Sequence, residues 1–77
     1  MRTLQILGGR KEKIRPGDVL GALTKDLGFV SPQIGKINVN EFSTYVAVAA
    51  EIAQQAERRL GAGRVKGKTV KVRLLDA

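Results

Sequence analysis

The chain has 77 residues, with fourteen Lys and Arg, seven Asp and Glu, no Cys and no His, for a formal net charge of +7. That length suits one small domain, residues 1–77, of at most two layers around a thin core. The composition excludes disulfides, thiolate chemistry, structural zinc and imidazole catalysis, and no apolar run approaches the roughly 20 residues that span a bilayer. No membrane partner is therefore expected. Met1-Arg2-Thr3 opens straight into a strand pattern rather than a leader, and the absence of Cys fits a reducing compartment, so the expected location is the cytoplasm.

Thr3 to Leu7 reads as a first strand, with Leu4 and Ile6 facing inward. Gly8-Gly9 is a tight exit from it. The loop that follows carries Arg10, Lys11, Lys13 and Arg15, with Glu12 among them. Pro16 suits the first turn of a helix, where its missing N–H does no harm. Asp18 in that turn favours the helix dipole. Leu20, Leu23 and Leu27, flanked by Val19, predict an amphipathic helix over residues 16–27 that stops at Gly28.

Ser31-Pro32-Gln33 is a connection. Ile34 to Val39 predicts a second strand, with Ile37 and Val39 inward and Lys36 and Asn38 outward. Asn40-Glu41 is a turn. Phe42 to Val48 predicts a third strand, with Val46 and Val48 inward and Tyr45 and Ala47 outward. Phe29 and Phe42 are expected to plug the ends of the core. A second helix covers residues 49–60, with Ile52, Ala56 and Leu60 on one face, and a loop covers 62–67. Thr69 to Leu75 alternates again, Val70, Val72 and Leu74 against Lys71 and Arg73.

The order β-α-β-β-α-β predicts an α+β, ferredoxin-like sandwich: a four-stranded antiparallel sheet with two helices on one face. Its split βαβ arrangement sets the first and last strands side by side. Charge gives that placement a consequence. Residues 1–15 carry a net +4, residues 16–57 a net −3 and residues 58–77 a net +6. Joined, the two basic ends form one surface suited to a polyanion such as nucleic acid, or else a solubilising face. The open sheet face would carry Gln5, Lys36, Asn38, Tyr45, Lys71 and Arg73: three cations, no carboxylate and one aromatic ring.

Ala62-Gly63-Arg64-Val65-Lys66-Gly67-Lys68-Thr69 matches only the loosest form of a phosphate-binding P-loop. It lacks the first Gly, runs from helix into strand rather than strand into helix, and has no partner Asp for magnesium. It reads instead as a basic loop whose Lys66 and Lys68 reach phosphate oxygens. Arg10, Lys11, Lys13 and Arg15 repel one another unless a counter-charge is present, and a binding role is favoured for them. Tyr45 admits two readings, a platform for a stacked base or a strand former packed across the sheet. The carboxylates are scattered, with no pair spaced for acid–base work, and no motif implies a cofactor or a resident metal.

The strings GGRKEKIRPGDVLGALTKDLG, IGKINV, TYVAVA and VKGKTVKVRLLD go further. In them the chain resembles the C-terminal RNA-binding domain of the DbpA family of bacterial DEAD-box RNA helicases, in register over nearly its whole length. The resemblance implies an RNA recognition motif that grips a structured hairpin of large-subunit ribosomal RNA near the peptidyl-transferase region. It also implies a separate helicase core in the same parent protein, which supplies the ATPase and acts in ribosome assembly. None of that core's motifs is present here, so this piece is expected to be non-catalytic and monomeric.

The general RNA recognition motif has aromatics where this chain has Gln5 and Ser43, so only Tyr45 is left to stack. Electrostatics, loop contacts and hydrogen bonds should then carry more of the affinity, with Gln5 and Asn38 able to read base edges. Two other functions remain open on this fold: a protein-interaction module, and a small-molecule regulatory domain, which leaves the two basic ends unexplained.

Overall fold

A computed structural model describes residues 1–65 and 68–75, the side chains of Arg64 and Lys68 excepted. The strands are β1 (Arg2–Ile6), β2 (Ile34–Val39), β3 (Thr44–Val48), β4 (Arg64–Val65), β5 (Lys68–Thr69) and β6 (Val72–Leu75). The α-helices are α1 (Pro16–Gly21) and α2 (Ala53–Ala62). Four strands form an antiparallel sheet in the order β2-β3-β1-β6, and β4 pairs with β5 in a separate hairpin. This is the expected ferredoxin-like α+β arrangement, with the first and last strands adjacent.

Alternation explains the core. Leu4 and Ile6 of β1 and Thr44, Val46 and Val48 of β3 are buried on the helix side of the sheet. Val19, Ala22 and Leu23 cover them from one side, and Ile52, Ala53, Ala56 and Leu60 from the other. Thr44 is the buried polar residue among these, and its hydroxyl donates to the Gly8 carbonyl at 2.7 Å, which removes the cost of burying it.

The first helical segment departs from its predicted form. α1 ends at Gly21, and a widened π-type turn over Ala22–Asp26 completes it. Leu20 does not join the core and is 37% exposed, because the inward face runs through Val19, Ala22 and Leu23 and leaves Leu20 one step round the axis. Leu27 packs against the core's edge, and Gly28, at φ +80°, is the predicted stop. The second helical segment starts as a 3-10 turn over Ala50–Ile52, and α2 runs through Gly61 to Ala62.

Two strands are shorter than expected. β3 starts at Thr44, because the Asn40 N–H donates to the Ser43 carbonyl at 2.7 Å and holds residues 40–43 in a turn. Phe42 is therefore no core plug: its side chain is 66% exposed, whereas Phe29 is buried as expected. The predicted 62–67 loop contains Arg64 and Val65 of β4. The predicted last strand, Thr69 to Leu75, is divided: Thr69 belongs with Lys68 to β5, and β6 begins at Val72. Val65 and Val70 are both buried, so the small hairpin closes part of the core.

Candidate nucleic-acid interface

The loop between β1 and α1 is built by its own anions. Glu12 accepts the Gly9 N–H at 2.8 Å, and Asp18 accepts the Arg15 N–H at 2.9 Å. Each carboxylate thus caps a backbone donor at the start of a helical turn, while Arg10, Lys11, Lys13 and Arg15 are left exposed. Lys13 takes the left-handed conformation, φ 61°, which turns the chain from the short 3-10 turn Arg10–Glu12 toward α1.

That loop is fastened to the turn between β2 and β3. The Arg10 N–H donates to the Asn40 carbonyl and the Lys11 N–H to the Glu41 carbonyl, both at 2.9 Å. The Arg10 guanidinium donates to the Val39 carbonyl at 3.1 Å. Lys11 lies 3.8 Å from the Glu41 carboxylate, an exposed pair of little energetic weight. Gly9 permits the contact: a Cβ there would stand 2.1 Å from the Asn40 carbonyl oxygen. Between loop and strand lies a recess of about 380 Å³ lined by Arg10, Lys13, Ile14, Arg15, Pro16 and Val39. Its polar wall is wholly cationic.

The open face of the sheet carries a polar row. Asn38 is paired across the strands with Tyr45, Tyr45 with Gln5, and Gln5 with Arg73. The Gln5 side-chain amide donates to the Tyr45 hydroxyl at 3.1 Å, so two residues that sequence reading treated separately act as one unit. Lys36 is exposed on β2, two residues before Asn38. At the end of the row the Leu7 N–H donates to the Lys71 carbonyl at 2.8 Å, which sets exposed Lys71 beside the strand leading into the basic loop.

Of the twelve candidate residues, the fold thus gathers Gln5, Asn38, Tyr45 and Arg73 in one row, flanked by Lys36 and Lys71. It groups Arg10, Lys11, Lys13 and Arg15 in the adjoining loop. Lys66 lies outside the described residues, and Lys68 enters only as the first residue of β5. Two exposed apolar residues near this surface escaped the sequence reading, Leu7 at 47% and Phe42 at 66%. Leu7 was legible as the next outward position of β1; Phe42 gave no local sign of exposure. Among the described residues no helix is long and apolar enough to cross a membrane, and no group of three or more Asp or Glu could hold a metal ion.

A four-stranded α+β sandwich with a basic loop beside a polar, Tyr-bearing sheet face defines the class of RNA-recognition-type domains. Residues 3–74 match the family described as DbpA RNA binding domain. Over 75 residues, 97% of this chain, it is 55% identical to "ATP-dependent RNA helicase DbpA" of Escherichia coli strain K12, and covers 16% of that protein. The chain belongs to the DbpA RNA-binding domain family.

Proposed function

We propose that residues 1–77 form one non-catalytic, monomeric RNA-binding module. It anchors an ATP-dependent helicase core of the same parent protein to a structured hairpin of large-subunit ribosomal RNA, during ribosome assembly in the cytoplasm. One observation carries the RNA part of this reading: β1 and β6 pair side by side, which sets Lys71 and Arg73 beside the strand that leads into the basic loop. Arg10, Lys11, Lys13, Arg15, Lys36, Lys66, Lys68, Lys71 and Arg73 engage phosphates, which position the RNA without reading its sequence. Gln5, Asn38 and Tyr45 supply base contacts, the tyrosine ring by stacking and the two amides by hydrogen bonds. The helicase anchoring is supported by the identity to a protein named as an ATP-dependent RNA helicase, of which this chain covers a small part.

The test is a binding assay at two salt concentrations. It compares a hairpin from the peptidyl-transferase region of large-subunit ribosomal RNA, a scrambled hairpin of equal length and a DNA duplex. The reading expects the ribosomal hairpin to bind tightest at both salts. Equal affinity for both hairpins would remove the ribosomal target, and failure to bind any RNA would remove the function.

A further inference from the structure

We propose that Phe42 is a base-stacking residue: its exposed ring receives one unpaired nucleobase of an RNA whose phosphates lie against Arg10 and Lys11. This rests on the RNA reading above and extends it to a residue outside the sheet face.

Folding gives this ring no reason to be where it is. Burying a Phe side chain is worth about 1.5–3 kcal/mol, and at 66% exposure most of that gain is forgone, while Phe29 takes it in full. The ring is also held on a fixed support. The Asn40-to-Ser43 hydrogen bond closes its turn, and the Arg10 and Lys11 N–H groups bond the carbonyls of Asn40 and Glu41, the two residues before it. Gly9 lies so close under this turn that the two cannot move independently without opening those bonds. The backbone segments that carry the ring and the cations are therefore joined as one unit.

The chemistry of that unit matches a nucleotide. An aromatic face takes any base, while adjacent cations take its phosphates. In the chain Phe42 lies between Glu41 and Ser43, and the two residues before it are bonded to the cationic loop. Lys11 is 3.8 Å from Glu41 and exposed, so it can exchange that weak partner for a phosphate. The other ring near this surface, Tyr45, is half-buried and its hydroxyl is engaged by Gln5. Phe42 is thus the most exposed aromatic of the chain's three.

The experiment places 2-aminopurine, in turn, at each unpaired loop position of an RNA hairpin, and mixes each with this chain. A fully paired RNA duplex of equal length is the control. Stacking on Phe42 quenches the fluorescence at one loop position. Phe42→Ala should abolish that quench and weaken hairpin binding about tenfold, leave duplex binding unchanged, and leave the thermal midpoint where it was. Phe42→Trp should restore both quench and affinity. The proposal is overturned if Phe42→Ala quenches and binds as the unaltered chain does, or if duplex and hairpin affinities fall together. It is also overturned if the substitution leaves RNA binding intact but releases a bound protein. A chain that binds neither hairpin nor duplex overturns the RNA reading itself, which is a different result from an unaltered chain that binds while Phe42 proves silent.

Discussion

Lys13 combines two jobs that can be separated. Its left-handed backbone turns the loop, and its charge faces the recess. The left-handed region costs a residue with a side chain about 1–2 kcal/mol, most for a β-branched one, and costs glycine little beyond its chain entropy. Lys13→Gly should therefore leave stability within about 1 kcal/mol, whereas Lys13→Val should lose about 1–2 kcal/mol, read by denaturant midpoint. Both should weaken RNA binding equally, because both remove the same charge; unequal binding losses would mean that loop shape outweighs charge. Tyr45 is a second residue with separable parts. Tyr45→Phe keeps the ring and deletes the acceptor of the Gln5 amide. Stacking alone predicts unchanged RNA affinity for Tyr45→Phe and a loss of about tenfold for Tyr45→Ala. If Tyr45→Ala binds the hairpin unchanged, the stacking role is wrong.

Elements are joined here by a few backbone contacts. Gly9→Ala drives a methyl group toward the Asn40 carbonyl, 2.1 Å away, so the basic loop must lift from the β2–β3 turn. A loss of about 1–3 kcal/mol is expected. Faster amide exchange at Arg10 and Lys11, which bond that turn, should accompany it. At the far side of the sheet Glu57 of α2 accepts the Leu74 N–H and ties the helix to β6. Glu57→Ala should cost about 1 kcal/mol and speed exchange at Leu74 before other strand amides. These joints also mark what could be read from the sequence. β2 was legible from end to end because Lys36 and Asn38 alternate with Ile37 and Val39, a signal contained within the strand. The inward parity of Val46 and Val48 was legible for the same reason. Phe42 was not, since a hydrogen bond from Asn40 and the approach of Gly9, from another part of the chain, decide that it stays outside. Nor was the β4–β5 hairpin, because two-residue strands are too short to carry a period. Leu20 shows a further limit: spacing by three and four places residues on one face without saying where that face is centred, and burial of Val19 and Ala22 decides it.

At the scale of the whole molecule, the anions of the chain's middle and the cations of its ends have different parts. The acidic middle of the chain contributes Asp18 to a cap, Glu57 to a strand and Glu41 to an exposed pair with Lys11. Its negative charge is thereby partly spent on the fold's own donors. Lys71 and Arg73 of the basic C-terminal end meet the N-terminal strand through β1 and β6, with the Leu7–Lys71 hydrogen bond joining the strand that leads into the loop to the residue before β6. A polyanion on this surface displaces counterions from several cations at once. For about six phosphate contacts the logarithm of the association constant should fall with the logarithm of salt at a slope of about −4 to −5. Lys11→Ala and Lys71→Ala should each make that slope shallower by about one, and the double substitution by about two, since loop and strand contribute separately. Glu41→Gln works in the opposite sense. It frees Lys11 from its neighbouring carboxylate and should strengthen RNA binding at low salt by less than about 1 kcal/mol. The gain should vanish as salt screens the pair. Hairpin affinity that holds constant from low to high salt, with all these variants alike, would mean that the basic surface serves solubility and that the polar row alone binds RNA.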